Sequence, residues 1–472
     1  MQKTYLFYDL ETSGLNKSFD QVMQFAAIRT DENLNELERY NILVKLNPDV
    51  IPSPYAVITH HIGIDDIKNG LSEYEAIKKI HVLMNQPGTI SLGYNTLGFD
   101  DEFLRFSFYR NLLPAYTHQY ANQCSRMDLY PMSSIYFNYK PDVIAWPKLE
   151  GRSTLKLEYL SAENKLAEGL AHDAMVDVDA TVALAKRFKQ EKEMWDYLCG
   201  YFDKNIDLER ISNLTPSLMS SSGQHRQGIL MDGINGADNR YASLVLSLGK
   251  HHVYKNQLLF LRLDQPVLRE VTEKNIPELF LVIKKKIGET GFLLPTNERF
   301  LKIVPEEKIN IMEENKKWLQ KHDYLLQEII RYYANYTYPI VPNIDIDAAL
   351  YQNGFMSPED EMMCRQFQQV DLNQKITLLD EVFNSNLKKQ MIRIIARNYP
   401  NALPEKYQVE YEEYLNLIKK SSDSIIDYKN NSKLTPEKAL EEIEELKDKN
   451  LGSDERRLLA ELEQYILGLK VE

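Results

Sequence analysis

Asp9-Leu10-Glu11 places two carboxylates one residue apart, directly after the apolar, aromatic run TYLFY at residues 4–8. Side chains alternate between faces in a strand, so Asp9 and Glu11 share one face and Leu10 takes the other. Two carboxylates in one space repel each other unless they share a proton or a divalent cation neutralises both. Taken alone, the pair fits an acidic turn at a strand end equally well. Asp100 in GYNTLGFDDEF and Asp177 in AHDAMVDVDATVALA add two acids at element ends, and His172 stands five residues before Asp177. Four carboxylates and a histidine are the inventory of two-metal phosphodiester hydrolysis, in which ions about 3.5–4 Å apart activate a water and stabilise the leaving oxygen. Histidine is the residue type that takes a proton near neutral pH, which suits His172 to the general-base role. By itself His172 fits a polar surface histidine better; the constellation in chain order is what carries the chemistry.

These residues need elements to hold them. Short apolar runs at residues 4–8, 25–28 and 42–46 predict three strands joined by links short enough for an antiparallel meander. SEYEAIKKIHVLMNQ spaces Ile77, Ile80, Leu83 and Met84 for one helical face and stops at Pro87-Gly88. A strand over 89–93 and a helix through DDEFLRFSFYRN follow, then a helix through DAMVDVDATVALAKRF that carries Asp177. The first 190 residues thus read as one α/β domain. The middle of the chain is dotted with glycine and shows strand-like ASLVLSL and QLLFLRL, which predicts a β-rich barrel or sandwich with a helix near 306–321. Amphipathic helical patterns dominate the remainder, most clearly at 435–449, with Thr435 as N-cap and Pro436 at the first helical position.

Composition narrows the function classes. The chain has 472 residues, 43% hydrophobic and 26% charged, enough apolar material for more than one core. Its net charge of −13 repels polyanions, so any nucleic-acid site must be a local groove, which clusters such as Lys284-Lys285-Lys286 could line. Those three lysines fit a solvated surface as well. The three cysteines, Cys124, Cys199 and Cys364, show no CxxC spacing, which argues against a disulfide framework or structural zinc and fits a reducing cytoplasm. No apolar stretch approaches the roughly 20 residues of a membrane span, and a charged sequence by residue 11 leaves no room for an export signal.

The motifs resemble those of the DEDDh exonucleases, the DnaQ-like group on a ribonuclease H-like fold. The D-x-E motif falls on Asp9 and Glu11, the middle aspartate on Asp100, and the closing H-x4-D on His172 and Asp177. Within that group, DLETSG, QFAAIRTD, FDDE, FYRN, the SR-x-DL around Arg126 and Asp128, and AHDAMVDV are similar to the bacterial exonuclease I family, and the similarity continues more weakly along the whole chain. The resemblance implies an α/β nuclease domain over 1–190, an SH3-like β-rich domain over 195–346 and a helical C-terminal domain over 347–472. It implies a magnesium-dependent enzyme, with two Mg²⁺ ions and Mn²⁺ as a substitute, that digests single-stranded DNA from the 3′ end to nucleoside 5′-monophosphates in DNA repair and recombination. Asp9, Glu11, Asp100 and Asp177 would hold the metals and His172 would be the base. The family's FDDE favours Asp100 over Asp101, and H-x4-D favours Asp177 over Asp173; Asp179 also lies outside the motif.

Further implied contacts with the single strand are Glu11, Arg105, Tyr116 and Tyr120, by phosphate pairing for the arginine and base stacking for the tyrosines. Each tyrosine singly fits ordinary interface or core filling equally well. Where the family commonly carries an arginine near the terminal nucleotide, this chain has Lys156, which keeps the charge and loses the bidentate fork. The implied partners are the DNA 3′ end and the acidic, hydrophobic tail of bacterial single-stranded DNA-binding protein, for a monomer with no membrane association. Two other readings share these residues. One is an exoribonuclease, against which the extra length after the nuclease domain argues. The other is a non-catalytic scaffold, against which all five filled positions argue.

Overall fold

The computed structural model describes residues 3–169, 172–420 and 423–471. The chain divides into two compact units. The first comprises Met1–Arg126, Ala167–Ala180 and Ile340–Glu472; the second comprises Met127–Leu166 and Thr181–Pro339.

In the first unit a five-stranded sheet runs in the order β3-β2-β1-β4-β5, with β1 Thr4–Thr12, β2 Val22–Thr30, β3 Glu36–Leu43, β4 Thr89–Gly93 and β5 Ser125–Asp128. β1 pairs antiparallel with β2, and β2 with β3, forming the expected meander, while β4 lies parallel to β1. β1 continues past the apolar run to Thr12, so Asp9 and Glu11 sit inside the strand, with an irregularity in pairing between Glu11 and Thr12. The third strand lies at 36–43 instead of 42–46. It is the edge strand and its first four residues are exposed, so no apolar run marks it; Val44 only bridges to Leu71. Helix α1, Glu73–Met84, buries Ile77, Ile80, Leu83 and Met84 as their spacing predicts, and Ser72 caps it by accepting from the Glu75 amide. Helix α2, Asp100–Arg110, adds Phe103, Leu104, Phe106 and Phe108 to the same core. Helix α3, Ala174–Lys189, starts in this unit.

The C-terminal third is helical, with helices at Pro358–Gln369, Leu372–Glu381, Ser385–Asn398, Glu405–Lys419, Pro436–Lys447 and Ser453–Val471. Thr435 caps the helix after it, as predicted. Phe19, Ile51, Val57 and Tyr74 from the N-terminal part are buried in one core with Phe367, Met391, Ile395 and Leu458 of this helical region. An ion network crosses the same junction. Arg397 grips Asp49 at 3.0 and 2.7 Å and reaches Asp347 at 2.6 Å, Arg393 joins Asp345 and Asp347, and the Tyr414 hydroxyl donates to Asp49.

The second unit contains a six-stranded antiparallel sheet of β6 Thr215–Ser220, β7 Gly223–Met231, β8 Ala242–Lys250, β9 Gln257–Arg262, β10 Val282–Lys286 and β11 Phe292–Leu294. Its order is β10-β9-β8-β7-β11, with β6 also on β7. The predicted β-rich texture is present, but no closed barrel is found among the described residues. β10 pairs only with β9, so its outer edge leaves the path open. The predicted helix at 306–321 forms over Glu306–Lys321. No described helix is long and apolar enough to cross a membrane.

Burial alone would raise the pKa of Asp49 and Asp347, but the facing Arg397, Arg393 and, for Asp49, Lys433 hold both carboxyls well below the usual range. A depressed folded pKa contributes stability that is present above the unfolded value near 4 and is lost as pH falls below it. Asp49→Ala leaves the buried Arg397 and Lys433 with one facing carboxylate fewer, Asp347 alone remaining on Arg397, and is expected to destabilise the chain by about 3 kcal/mol at pH 7. The deficit should shrink in urea titrations carried from pH 7 down to pH 3.

Candidate active site

The face of β1 that carries Asp9 and Glu11 meets the start of α3. One carboxylate oxygen each from Asp9, Glu11 and Asp177 lie within 4.8 Å of one another. Asp9 stands opposite Ala26 and Glu11 opposite Gln24 on β2, so strand pairing fixes both backbones. Asp100 is the first residue of α2 and is buried. At the adjoining end of β4, a Cβ on Gly93 would stand 2.5 Å from the Tyr8 carbonyl oxygen, so only glycine lets β4 come this close to β1 beside Asp9.

The electrostatics follow from that convergence. Burial, then the charges of Asp100, Glu11 and Asp177, push Asp9 well above the usual carboxylate range. Burial and the charges of Asp177, Asp100 and Asp173 push Glu11 up to about 9. Half-buried oxygen ligands that repel one another are the donor set of a hard divalent cation, which removes the repulsion by binding.

The neighbouring acids have cationic or structural partners. Asp101 is fully buried, accepting from Arg126 at 2.6 Å and pairing with Arg105 at 2.5 Å and with His118 Nε2 at 2.8 Å, and these cations hold its carboxyl well below the usual range. Asp179 takes two bonds from Arg39, at 2.8 and 2.9 Å. Asp173 accepts from the Met175 amide at 2.9 Å and so caps the start of α3, while its charge still reaches Glu11. The three acids set aside by the motif spacing are thus each engaged elsewhere.

His172 is exposed, with φ 63°, two residues before α3. Its charge, with burial and His61, helps push the buried His60 down to about 4, which places His60 near the same site. Arg105 is buried, with its guanidinium 5.6 Å from the Tyr116 ring centre; Tyr116 is half-buried, and Tyr120 is 67% exposed. Lys156 belongs to the second unit, where it precedes the helix Leu157–Asn164, is exposed, and has its ammonium 3.5 Å from Glu158. Sequence reasoning assigned no role to His118, Arg126 or His60. Local spacing does not mark His118 or His60, and Arg126 stood out only within the SR-x-DL motif, since the Asp101 carboxylate it meets lies 25 residues away.

In EDTA at pH 7, Asp177→Asn should raise the melting temperature, because it removes one of three repelling carboxylates. Millimolar Mg²⁺ or Mn²⁺ should stabilise the parent chain, by about 2.7 kcal/mol at 100 times Kd, and the variant far less. Differential scanning calorimetry reads both; equal metal-induced shifts in the two proteins would refute the ligand assignment.

Two family models match the chain: an exonuclease model over residues 6–185 and an exonuclease I C-terminal domain model over residues 344–469. Exodeoxyribonuclease I of Escherichia coli K12 is 28% identical over 440 residues, covering 88% of this chain and 89% of that protein. The crystal structure of E. coli exonuclease I in complex with a dA16 oligonucleotide superposes with a TM-score of 0.85 at 26% identity, covering 99% of this chain and 100% of the other. A zinc-bound form of the E. coli enzyme with single-stranded DNA gives 0.84, with the same identity and coverage. With both matched regions in order and the acidic cluster inside the first, the chain belongs to the exonuclease I family of DnaQ-like exonucleases.

Proposed function

We propose that this protein degrades single-stranded DNA from its 3′ end, releasing nucleoside 5′-monophosphates. The observation that carries the reading is the convergence of Asp9, Glu11 and Asp177 within 4.8 Å, inside a chain that matches E. coli exodeoxyribonuclease I over 88% of its length. Asp9, Glu11, Asp100 and Asp177 are assigned to two Mg²⁺ ions, with Mn²⁺ as a substitute. Such ions, when bound, acidify a water and offset charge on the leaving 3′ oxygen. His172 is assigned to take the proton of the attacking water at a ring nitrogen; its exposure and its place just ahead of the helix carrying Asp177 support this. Glu11, Arg105, Tyr116, Tyr120 and Lys156 are assigned to the strand. The open ring of Tyr120 suits base stacking, and Arg105 supports Tyr116 by cation–π contact.

The same reading extends to the architecture and the setting. It divides the chain into 1–190, 195–346 and 347–472, with an SH3-like relation for the middle part, supported by the family matches at either end. It also assigns a monomeric, cytoplasmic enzyme of DNA repair that binds the acidic tail of single-stranded DNA-binding protein, carried by the family resemblance.

A 5′-labelled single-stranded oligodeoxynucleotide, its RNA counterpart and a blunt duplex, incubated with Mg²⁺ or EDTA, test this. Only the single-stranded DNA should shorten, and only with metal. Asp177→Ala should slow it by about a thousandfold or more, and His172→Ala by about 100- to 10,000-fold. Faster loss of RNA would make the chain a ribonuclease, and binding without cleavage would make it a scaffold.

A further inference from the structure

Asp100 opens α2, yet the residue before it does not cap the helix. Phe99 has φ −131° and ψ −74° and offers no side-chain acceptor to the first amides. A first turn without a capping bond needs some other anchor to keep its place. The next two residues of the same turn, Asp101 and Glu102, supply it from two sides.

Toward the core, the fully buried Asp101 uses both oxygens. Oδ1 faces His118 Nε2 at 2.8 Å, while Oδ2 meets Arg126 of β5 at 2.6 Å and Arg105, one turn further along α2. Toward solvent, the Lys17 ammonium donates to the Gly98 carbonyl at 2.5 Å and to the Glu102 carboxylate. Both side chains of that ion pair are largely shielded, at 16% and 20% exposure, and the ammonium lies 5.8 Å from the centre of the Phe99 ring. Lys17 belongs to the loop into which β1 runs, and the loop has its own bracing. Asp20 accepts from the Asn16 amide at 2.7 Å and from the Ser13 hydroxyl, the Asn16 carbonyl accepts from the Asp20 amide at 2.8 Å, and the Asn16 side chain accepts from the Ser18 amide.

Lys17 thus ties the strand that carries Asp9 and Glu11 to the turn that carries Asp100. The charge of Asp100 bears on both of those acids, so repulsion drives the two elements apart, and strand pairing leaves the helix start as the part able to yield. An ordinary surface ion pair does not account for a shielded lysine that grips a backbone carbonyl and a carboxylate of one turn. We infer that Lys17 and Glu102, with Asp101 behind them, are positioning residues of the metal site, holding the first turn of α2 so that the Asp100 carboxylate stays beside Asp9 and Glu11 before any cation arrives. They act through Asp100. A cation that meets its ligands already gathered binds more tightly, because none of its binding free energy goes into assembling them. This inference rests on the assignment of Asp100 to the metals proposed above.

The test uses the full chain and three measurements: calorimetric titration with Mn²⁺ in the absence of DNA, digestion of single-stranded oligothymidylate over a Mg²⁺ series, and scanning calorimetry in EDTA. Lys17→Met, which keeps the stem and loses the ammonium, should weaken Mn²⁺ binding about tenfold and raise the Mg²⁺ concentration for half-maximal digestion by the same factor. kcat at saturating Mg²⁺ should hold, since a bound cation draws Asp100 back into place, and the melting temperature in EDTA should fall by only about 2–4 °C. Lys17→Arg should bind metal like the parent. Glu102→Gln should match Lys17→Met, and the double variant should lose no more affinity than either alone. Asp101→Asn should weaken Mn²⁺ further, up to about 100-fold; if the loss of its buried pairs unfolds the chain, the Lys17 and Glu102 variants decide. Parent-like Mn²⁺ affinity in Lys17→Met and Glu102→Gln, whatever their melting temperatures, overturns this inference and leaves the exonuclease reading standing. Parent-like Mn²⁺ affinity in Asp100→Asn would instead remove the ligand assignment on which it rests.

Discussion

Mutual repulsion among Asp9, Glu11 and Asp177, reinforced by Asp100, is the constraint around which the first unit is built. Carboxylates left to themselves would separate into solvent. Here the backbone forbids it: two of them sit inside a paired strand, one lies in the first turns of a helix, and Asp100 opens another helix. The β1–β4 pairing, the glycine that lets those strands approach and the apolar undersides of α1 and α2 all hold the groups where their charges conflict. A site in this condition is preorganised for a cation, because binding removes a penalty already built into the fold.

The acids around that cluster show how the fold separates binding from scaffolding by assigning partners. Asp100 and Asp101 are adjacent in the chain and both buried, yet their electrostatics diverge. Asp101 is enclosed by Arg105, Arg126 and His118 and stays ionised as a structural hub, whereas the charge of Asp100 falls on Asp9 and Glu11. Arg39 does the same for Asp179, and a backbone amide does it for Asp173.

The helical C-terminal region belongs physically to the nuclease sheet. It shares a core with Phe19, Ile51, Val57 and Tyr74, and it supplies both arginines of the network that encloses Asp49. An interface of that kind is held by apolar burial and given its register by the buried charges, whose partners must meet or be left uncompensated. The exonuclease I C-terminal match over 344–469 is thus part of what keeps the N-terminal sheet folded.

The sequence by itself determined the features set by neighbours in the chain. Alternation put Asp9 and Glu11 on one face, the 3.6-residue period placed Ile77 through Met84 against the sheet, Thr435 and Pro436 announced a helix start, and H-x4-D separated Asp177 from Asp173. It misplaced β3, because an exposed edge strand carries no apolar run, and it left a barrel or a sandwich open for the middle of the chain, where the described pairings close no barrel, because strand texture says nothing about which edges meet. Only the tertiary structure decided which acids are neutralised, that Arg105 is buried beside Asp101, and that the Lys284 ammonium stands 4.1 and 4.7 Å from the ring centres of Tyr336 and Tyr338, some fifty residues away. Electrostatic fate depends on the nearest opposite charge in space. For Asp101, Asp49 and Lys284, partners that settle it lie far off in the chain, beyond the reach of any local period or motif.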